Sequence, residues 1–170
     1  MKIIQSLFSS LLFICIFLYG YAFASENVEA ISFVNEASVR GIAQIEAARL
    51  ALDKSTSAEV KTYAQQVIDD RTAANKELVA IAQKNNLKMV SNSELTSRSK
   101  EFAVKQRDDQ SFDEAYARNQ VKVLRDTIEI FNKTAVSKDI DLAGFATENI
   151  PKLKHHLSFA EQLSNTFDKK

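Results

Sequence analysis

A helical spacing of apolar residues runs through most of the chain after residue 30 and constrains its fold more than any other feature. From Ala30 to Lys54, apolar residues recur at three- and four-residue steps, which places them along one face of a helix. Later stretches repeat this pattern. Only 3 Gly and 1 Pro occur in 170 residues, which leaves little material for hairpins or glycine-rich phosphate loops. All-β and Rossmann folds are therefore disfavoured.

Polar signals predict where the other long helices begin and end. Residues 56–59 (TSAE) and 111–114 (SFDE) have the pattern of a capping box, in which two side chains satisfy early backbone N–H groups. The first box should open a second helix that ends before residue 85, and the second should open a third. The last helix should begin near Asp139 and carry a kink or a short break at Pro151, because proline lacks an N–H and collides with the preceding turn.

These helices predict an all-α four-helix bundle. A polar connector, residues 86–93, and a short extra helix over about 94–105 separate the second and third long helices. In such a bundle each apolar face packs against the other three helices. No low-complexity segment or linker divides residues 25–170, so we predict one domain there.

The first 24 residues have the pattern of a signal peptide. A basic start precedes the apolar run 11–19 (LLFICIFLY), and residues 22–24 (AFA) fit a small-x-small cleavage site. Polar residues interrupt this segment, so cleavage before Ser25 is favoured over a retained anchor. We expect a periplasmic or secreted protein with no membrane span in the mature chain; association with the outer membrane is a further option. The only cysteine, Cys15, leaves with the leader, so the domain must depend on its core.

Charge and missing motifs exclude several function classes. The 22 basic residues balance 22 acidic ones, which offers no broad field for nucleic acid. The sequence lacks G-x-S-x-G, Walker and H-E-x-x-H motifs, and the mature part has no cysteine nucleophile. We therefore expect a non-enzymatic protein without a cofactor, with an unidentified protein partner left open.

Polar residues at apolar helix positions are the most informative part of the sequence. Gln44 flanks the first stripe, Arg71 lies within the second and His156 within the last, while the third helix has Leu124 at the comparable position. The Glu-x-x-His pair that ferritin-like metal centres often use does not occur. The two histidines, His155 and His156, are adjacent and point about 100° apart on a helix, so one ion cannot readily bind both.

Four stretches resemble one family. Residues 43–51 (AQIEAARLA), 63–75 (YAQQVIDDRTAAN), 112–116 (FDEAY) and 150–157 (IPKLKHHL) are similar to the exported bacterial ferritin-like domain family of unknown function. Members of this family are often labelled "predicted outer membrane protein". The similarity extends in order over nearly the whole mature chain and implies a ferritin-like bundle in the cell envelope.

The resemblance also implies four candidate metal-ligand positions, of which this chain keeps one. The family pattern has Glu at the position of Gln44 and His at the positions of Arg71 and Leu124, whereas His156 is retained. Arginine cannot bind a metal, leucine has no donor atom and glutamine is a weak neutral ligand. We therefore expect a degenerate metal site. The alternative is a divergent metal site in the cell envelope with three weaker ligands: Glu46, Asp70 and His156.

Arg71 itself leaves two alternatives. A guanidinium in a helix seam needs acceptors, so it either pairs with a carboxylate or extends its head to water at the rim. The candidate carboxylates are Glu46, Asp70 and Asp126, with further hydrogen bonds from Gln44 and Tyr116.

An envelope interaction protein is the remaining alternative. Segment 86–110 is the expected contact region, because its apolar side chains could bind a partner or could equally cap one end of the bundle. These side chains are Leu87, Met89, Val90, Leu95 and Phe102.

Overall fold

The computed structural model describes residues 2–167, with side chains from residue 27 onward. Within this part the α-helices are Lys2–Lys54 (α1), Ala58–Lys84 (α2), Asn92–Ser99 (α3), Phe112–Thr134 (α4) and Ile140–Phe167 (α5), and a 3-10 turn, Lys100–Phe102, follows α3. None of the described residues forms a strand, which confirms the all-α prediction. The predicted leader, residues 1–24, lies outside the described side chains, so its cleavage stays a prediction.

Serine side chains begin three of the helices. Ser111 caps α4 as predicted, and Ser91 caps α3 in the same way, because each hydroxyl accepts the backbone N–H three residues later at 3.2 Å. At α2 the cap is Ser57, whose hydroxyl accepts the N–H of Val60 at 3.3 Å. The predicted cap, Thr56, is exposed and lies one residue too early, since the extended backbone persists through Ser57.

The short insert helix is also shorter than predicted. α3 and its 3-10 turn end at Phe102 rather than near Lys105, because the backbone of Ala103 is extended (φ −59°, ψ 149°).

The helix directions follow from the connections and the contacts. A short turn makes α1 and α2 antiparallel, and residues 135–139 do the same for α4 and α5. Asp70 meets His156 and Lys84 meets Asp141, so α2 and α5 also run antiparallel. Consequently α2 and α4 point in the same direction, and the long segment 85–111 crosses over between them.

The core contains most of the predicted stripe residues. Phe33, Phe131 and Phe145 meet at one end of the bundle, with ring centroids 5.2 to 6.3 Å apart. For α4 the helical spacing of apolar residues predicts a stripe of Ala117, Val121, Leu124, Ile128, Phe131 and Ala135. The buried face is displaced from it, since Gln120 and Val123 are buried. The reason is that α4 packs against both α1 and α5, which buries a wider face than a single stripe. Three predicted stripe residues are therefore only half-buried: Val121, Ile128 and Ala135.

Pro151 lies inside α5 without ending it. The helix continues from Ile140 to Phe167, so the chain has no break there, and the expected kink stays a prediction. Pro151 and Thr147 are both exposed. In a regular helix the N–H of residue 151 would donate to the carbonyl of Thr147, but proline has no N–H. Water can therefore satisfy the carbonyl that proline leaves free.

Segment 86–110 is docked onto α1. Leu87 and Leu95 are buried, and Met89, Val90 and Phe102 are half-buried. The backbone N–H of Val90 donates to Asn35 at 3.0 Å, and the guanidinium of Arg40 lies 4.7 Å from the centre of the Phe102 ring. The apolar side chains through which segment 86–110 was expected to bind a partner are therefore largely covered by the bundle itself. Among residues 27–167, whose side chains the structure describes, no helix has an apolar stretch that would cross a bilayer.

Candidate functional site

The four candidate positions are all buried. Their exposed fractions are 1% for Gln44, 3% for Arg71, 1% for Leu124 and 2% for His156. Gly41 of α1 lies directly against the side chain of Asn75 on α2. Gln44 is three residues after Gly41, and Arg71 is four residues before Asn75. Because the two helices are antiparallel, both steps lead about one turn in the same direction, so Gln44 lies level with Arg71.

The other two positions lie near the same level. The rings of Tyr63 and Tyr116 are 6.1 Å apart between the parallel helices α2 and α4. About two turns further along each helix are Arg71 and Leu124. His156 of α5 contacts Asp70, the neighbour of Arg71. The helices thus bring all four positions to one layer of the bundle interior.

Two residues of α2, Asp70 and Tyr63, form hydrogen bonds with His156. Its Nε2 lies 2.7 Å from Oδ2 of Asp70, and the Tyr63 hydroxyl donates to its backbone carbonyl at 3.2 Å. Burial lowers the pKa of His156, the hydrogen bond with Asp70 opposes this, and the charge of Arg71 lowers it further. The ring is therefore neutral at neutral pH and donates from Nε2. This leaves Nδ1 as an acceptor, which is buried and has no partner among the described residues.

Arg71 is the charged centre of the layer. Burial lowers its pKa, and the nearby charge of Asp70 opposes that shift. An arginine nevertheless stays protonated in a protein. Its Nε and Nη2 are buried without an acceptor among the described residues. The expected ion pair is absent, because no described carboxylate lies within 4.0 Å of the guanidinium. The rim alternative holds at one nitrogen at most, since only 3% of the residue is exposed and only Nη1 is not among its buried atoms without a partner.

Each predicted partner of Arg71 binds another residue. Glu46 pairs with Arg49 at 2.7 Å, Asp70 with His156 at 2.7 Å, and Asp126 with Arg40 at 3.9 Å. Glu46 is also exposed, since its helical position faces away from the layer. Sequence spacing alone suggested the wrong pairing because it gives levels along the bundle but not side-chain direction.

These residues do not fit a metal ion. Of the weaker ligands, the structure brings Asp70 and His156 together and leaves Glu46 at the surface. Among the described residues, no three His, Cys, Asp or Glu side chains are grouped as a metal would require. A buried arginine cation at the same level opposes a divalent ion electrostatically.

Sequence reasoning missed Gln120, which is fully buried. Its amide nitrogen and oxygen have no partner among the described residues. It follows Ala117 by three positions and precedes Leu124 by four, so its helical spacing could have identified it. Thr127 and Asn149 are also buried, but each bonds a carbonyl of its own helix, at 2.6 and 2.9 Å. Gln120 is therefore the additional member of the layer.

A comparison with protein families identifies the domain. The model described as "Domain of unknown function (DUF4142)" matches residues 22–163. The chain belongs to the DUF4142 family. No curated protein and no solved structure matches this DUF4142 domain.

The two interior tyrosines of the DUF4142 domain should respond differently to loss of the hydroxyl. Burial raises the pKa of both, so both remain protonated donors. The Tyr63 hydroxyl donates to His156, whereas that of Tyr116 has no described partner. Tyr63→Phe should lower the free energy of unfolding by about 1 kcal/mol, and Tyr116→Phe should leave it unchanged or raise it. Urea unfolding measures both; equal losses would contradict the assignment.

The stability of the DUF4142 domain should fall in mild acid because of His156. Its pKa in the folded state lies below the ordinary 6.5, so the unfolded chain takes up the proton first. The contribution is complete above about pH 6.5 and is lost as the pH falls toward the folded-state value. Urea unfolding across this range should show a shallower pH dependence for His156→Gln. The matched control is His155→Gln, an exposed neighbour that should retain the wild-type profile.

Proposed function

We propose that this DUF4142 domain is an exported, non-enzymatic bundle of ferritin-like topology, in which a metal layer has become a polar layer centred on a cation. The helix directions support the topology, because parallel second and third long helices joined by one long crossover are typical of ferritin-like folds. The resemblance of the sequence to that family supports it further.

One observation carries the proposal: the buried guanidinium of Arg71 lies in the layer where the resemblance implies metal ligands. Around it, Leu124 offers no donor atom and Gln44 only a neutral amide. The layer holds one imidazole, that of His156, and a positive charge. Such a set favours packing and hydrogen bonding over coordination of a divalent ion.

The Asp70–His156 pair supports an origin from a metal site. Histidines that bind metals usually donate their second ring N–H to a carboxylate, which fixes the ring and its tautomer. Here Asp70 accepts from Nε2 and leaves the buried Nδ1 as the free nitrogen. The same pair is the one feature that favours the second candidate, a divergent metal-binding protein.

Export is the other part of the proposal, and the sequence supports it. The leader pattern of residues 1–24 implies that the mature protein begins near Ser25. N-terminal sequencing of protein from the periplasm or the medium tests this step. A cytoplasmic protein that retains Met1 would contradict it.

Calorimetric titration of the purified protein with manganese, zinc and ferrous iron tests the loss of the metal site. We expect no binding tighter than a dissociation constant of about 1 mM. Stoichiometric uptake that His156→Gln abolishes would overturn the proposal in favour of the divergent metal site. Weak zinc binding that His155→Gln abolishes and His156→Gln retains would arise at the surface and leave the proposal standing.

A further inference from the structure

We propose that Arg71, Gln44 and Gln120 form a receptor for a small planar oxyanion of the carboxylate or bicarbonate class in the bundle interior. This inference rests on the proposed function, because it requires that the layer holds no metal. It goes further by assigning a ligand to the layer.

The free edge of Arg71 determines the class of ligand. Nε and Nη2, both buried and without a described acceptor, lie on the same edge of the planar guanidinium. Their N–H bonds are parallel, and this fork matches two oxygens of one planar anion. A spherical halide cannot use the fork in this way, and a tetrahedral dianion brings two charges to an interior that offers one.

Two buried glutamines lie within about one helical turn of the level of Arg71. Phe33 of α1 and Phe131 of α4 are in contact, with ring centroids 5.2 Å apart. Gln44 is eleven residues after Phe33, and Gln120 is eleven residues before Phe131. Because the two helices are antiparallel, both steps lead the same distance in the same direction. Both are buried, with exposed fractions of 1% and 0%, and both amides have no described partner. Their N–H groups can donate to an anion beside Arg71.

The charges in the layer favour a single negative charge. The negative charge of Asp70 raises the pKa of Arg71, but its carboxylate forms its hydrogen bond with His156 instead. A buried cation without a contacting anion is strongly unfavourable. A bound monoanion removes this cost and satisfies the two donors of Arg71 at once.

Solvent is close to the layer at Asp70. Its side chain is 43% exposed, although the His156 ring that it contacts is buried. Asp70 is also adjacent to Arg71 in the sequence. Solvent therefore reaches the carboxylate that holds His156, on the residue next to Arg71.

The test is the thermal midpoint of the purified protein in formate, acetate, bicarbonate or nitrate, each titrated against chloride at constant ionic strength. Binding to the folded state raises the midpoint in a saturable way. We expect such a rise with at least one planar anion and none with sulfate. Comparing the four anions distinguishes carboxylates from bicarbonate and from other planar anions.

Variants assign the effect to the layer. Arg71→Lys keeps the charge but loses the fork, so it should weaken binding at least about tenfold. Gln120→Leu should also weaken it. Arg49→Lys, an exposed matched control, should bind as the wild type does. If Arg71→Lys does not fold, the line width of carbon-13 formate with wild-type protein, with and without excess unlabelled formate, measures binding directly.

The possible results separate the two proposals. No saturable response to any planar anion, or an equal response in folded Arg71→Lys, would overturn the oxyanion site without affecting the metal result. Stoichiometric metal uptake dependent on His156 would overturn the proposed function. An equal response to chloride and planar anions would contradict the fork and therefore also reject the inference.

Discussion

Arg71→Met should raise the free energy of unfolding by roughly 1–4 kcal/mol, as replacement of buried charges by apolar side chains of similar volume often does. The guanidinium is buried, and no described carboxylate lies within 4.0 Å of it. Methionine removes the desolvation cost and fills much of the same space with a flexible side chain. Urea unfolding in a chloride buffer, without planar anions, measures the difference.

Two comparisons make this result specific. Arg49→Met changes an exposed arginine and should alter stability by less than about 0.5 kcal/mol. If planar anions bind Arg71, saturating them should reduce the advantage of Arg71→Met, because only the wild type gains stability. A loss of stability of about 3 kcal/mol or more in Arg71→Met would mean that the guanidinium has a strong partner, and would contradict this description.

The second large effect is a gain of metal binding. Gln44→Glu, Arg71→His and Leu124→His, made together, should give a protein that binds one manganese or zinc ion at least about a hundredfold more tightly than wild type. The three changes remove a cation and add one carboxylate and two imidazoles at the level of His156. Asp70 already orients His156 so that Nδ1 is free to bind.

The control for this gain is the same triple variant with His156→Gln. We expect it to lose much of the added affinity, because the fourth ligand is gone. Equal affinity with and without His156 would show that the new ligands act elsewhere. Calorimetry gives both the stoichiometry and the dissociation constants.

Much of the fold was predictable because it depends on local patterns. Apolar spacing and serine caps act within one helix, so the ends of α2 and the start of α4 agree with the sequence analysis closely. The error at Thr56 and Ser57 is also local, because two adjacent hydroxyl residues satisfy the same capping pattern. The wider buried face of α4 was not predictable, since it depends on which two helices pack beside it.

The site was predictable in position but not in its interactions. Helical spacing, together with the family resemblance, identified Gln44, Arg71, Leu124 and His156, and all four are buried near one level. The partner of His156 was missed because the choice of Asp70 between a histidine and an arginine depends on side-chain direction. Sequence distance contains no such information, and for the same reason Gln120 was overlooked.

Anomalous diffraction from crystals soaked in manganese shows whether the wild-type layer holds a metal ion, with crystals of the triple variant as the positive control. We expect no anomalous peak between the helices at the level of Arg71 and His156 in the wild type, and a peak there in the variant. A manganese peak beside Nδ1 of His156 in the wild-type protein would contradict it.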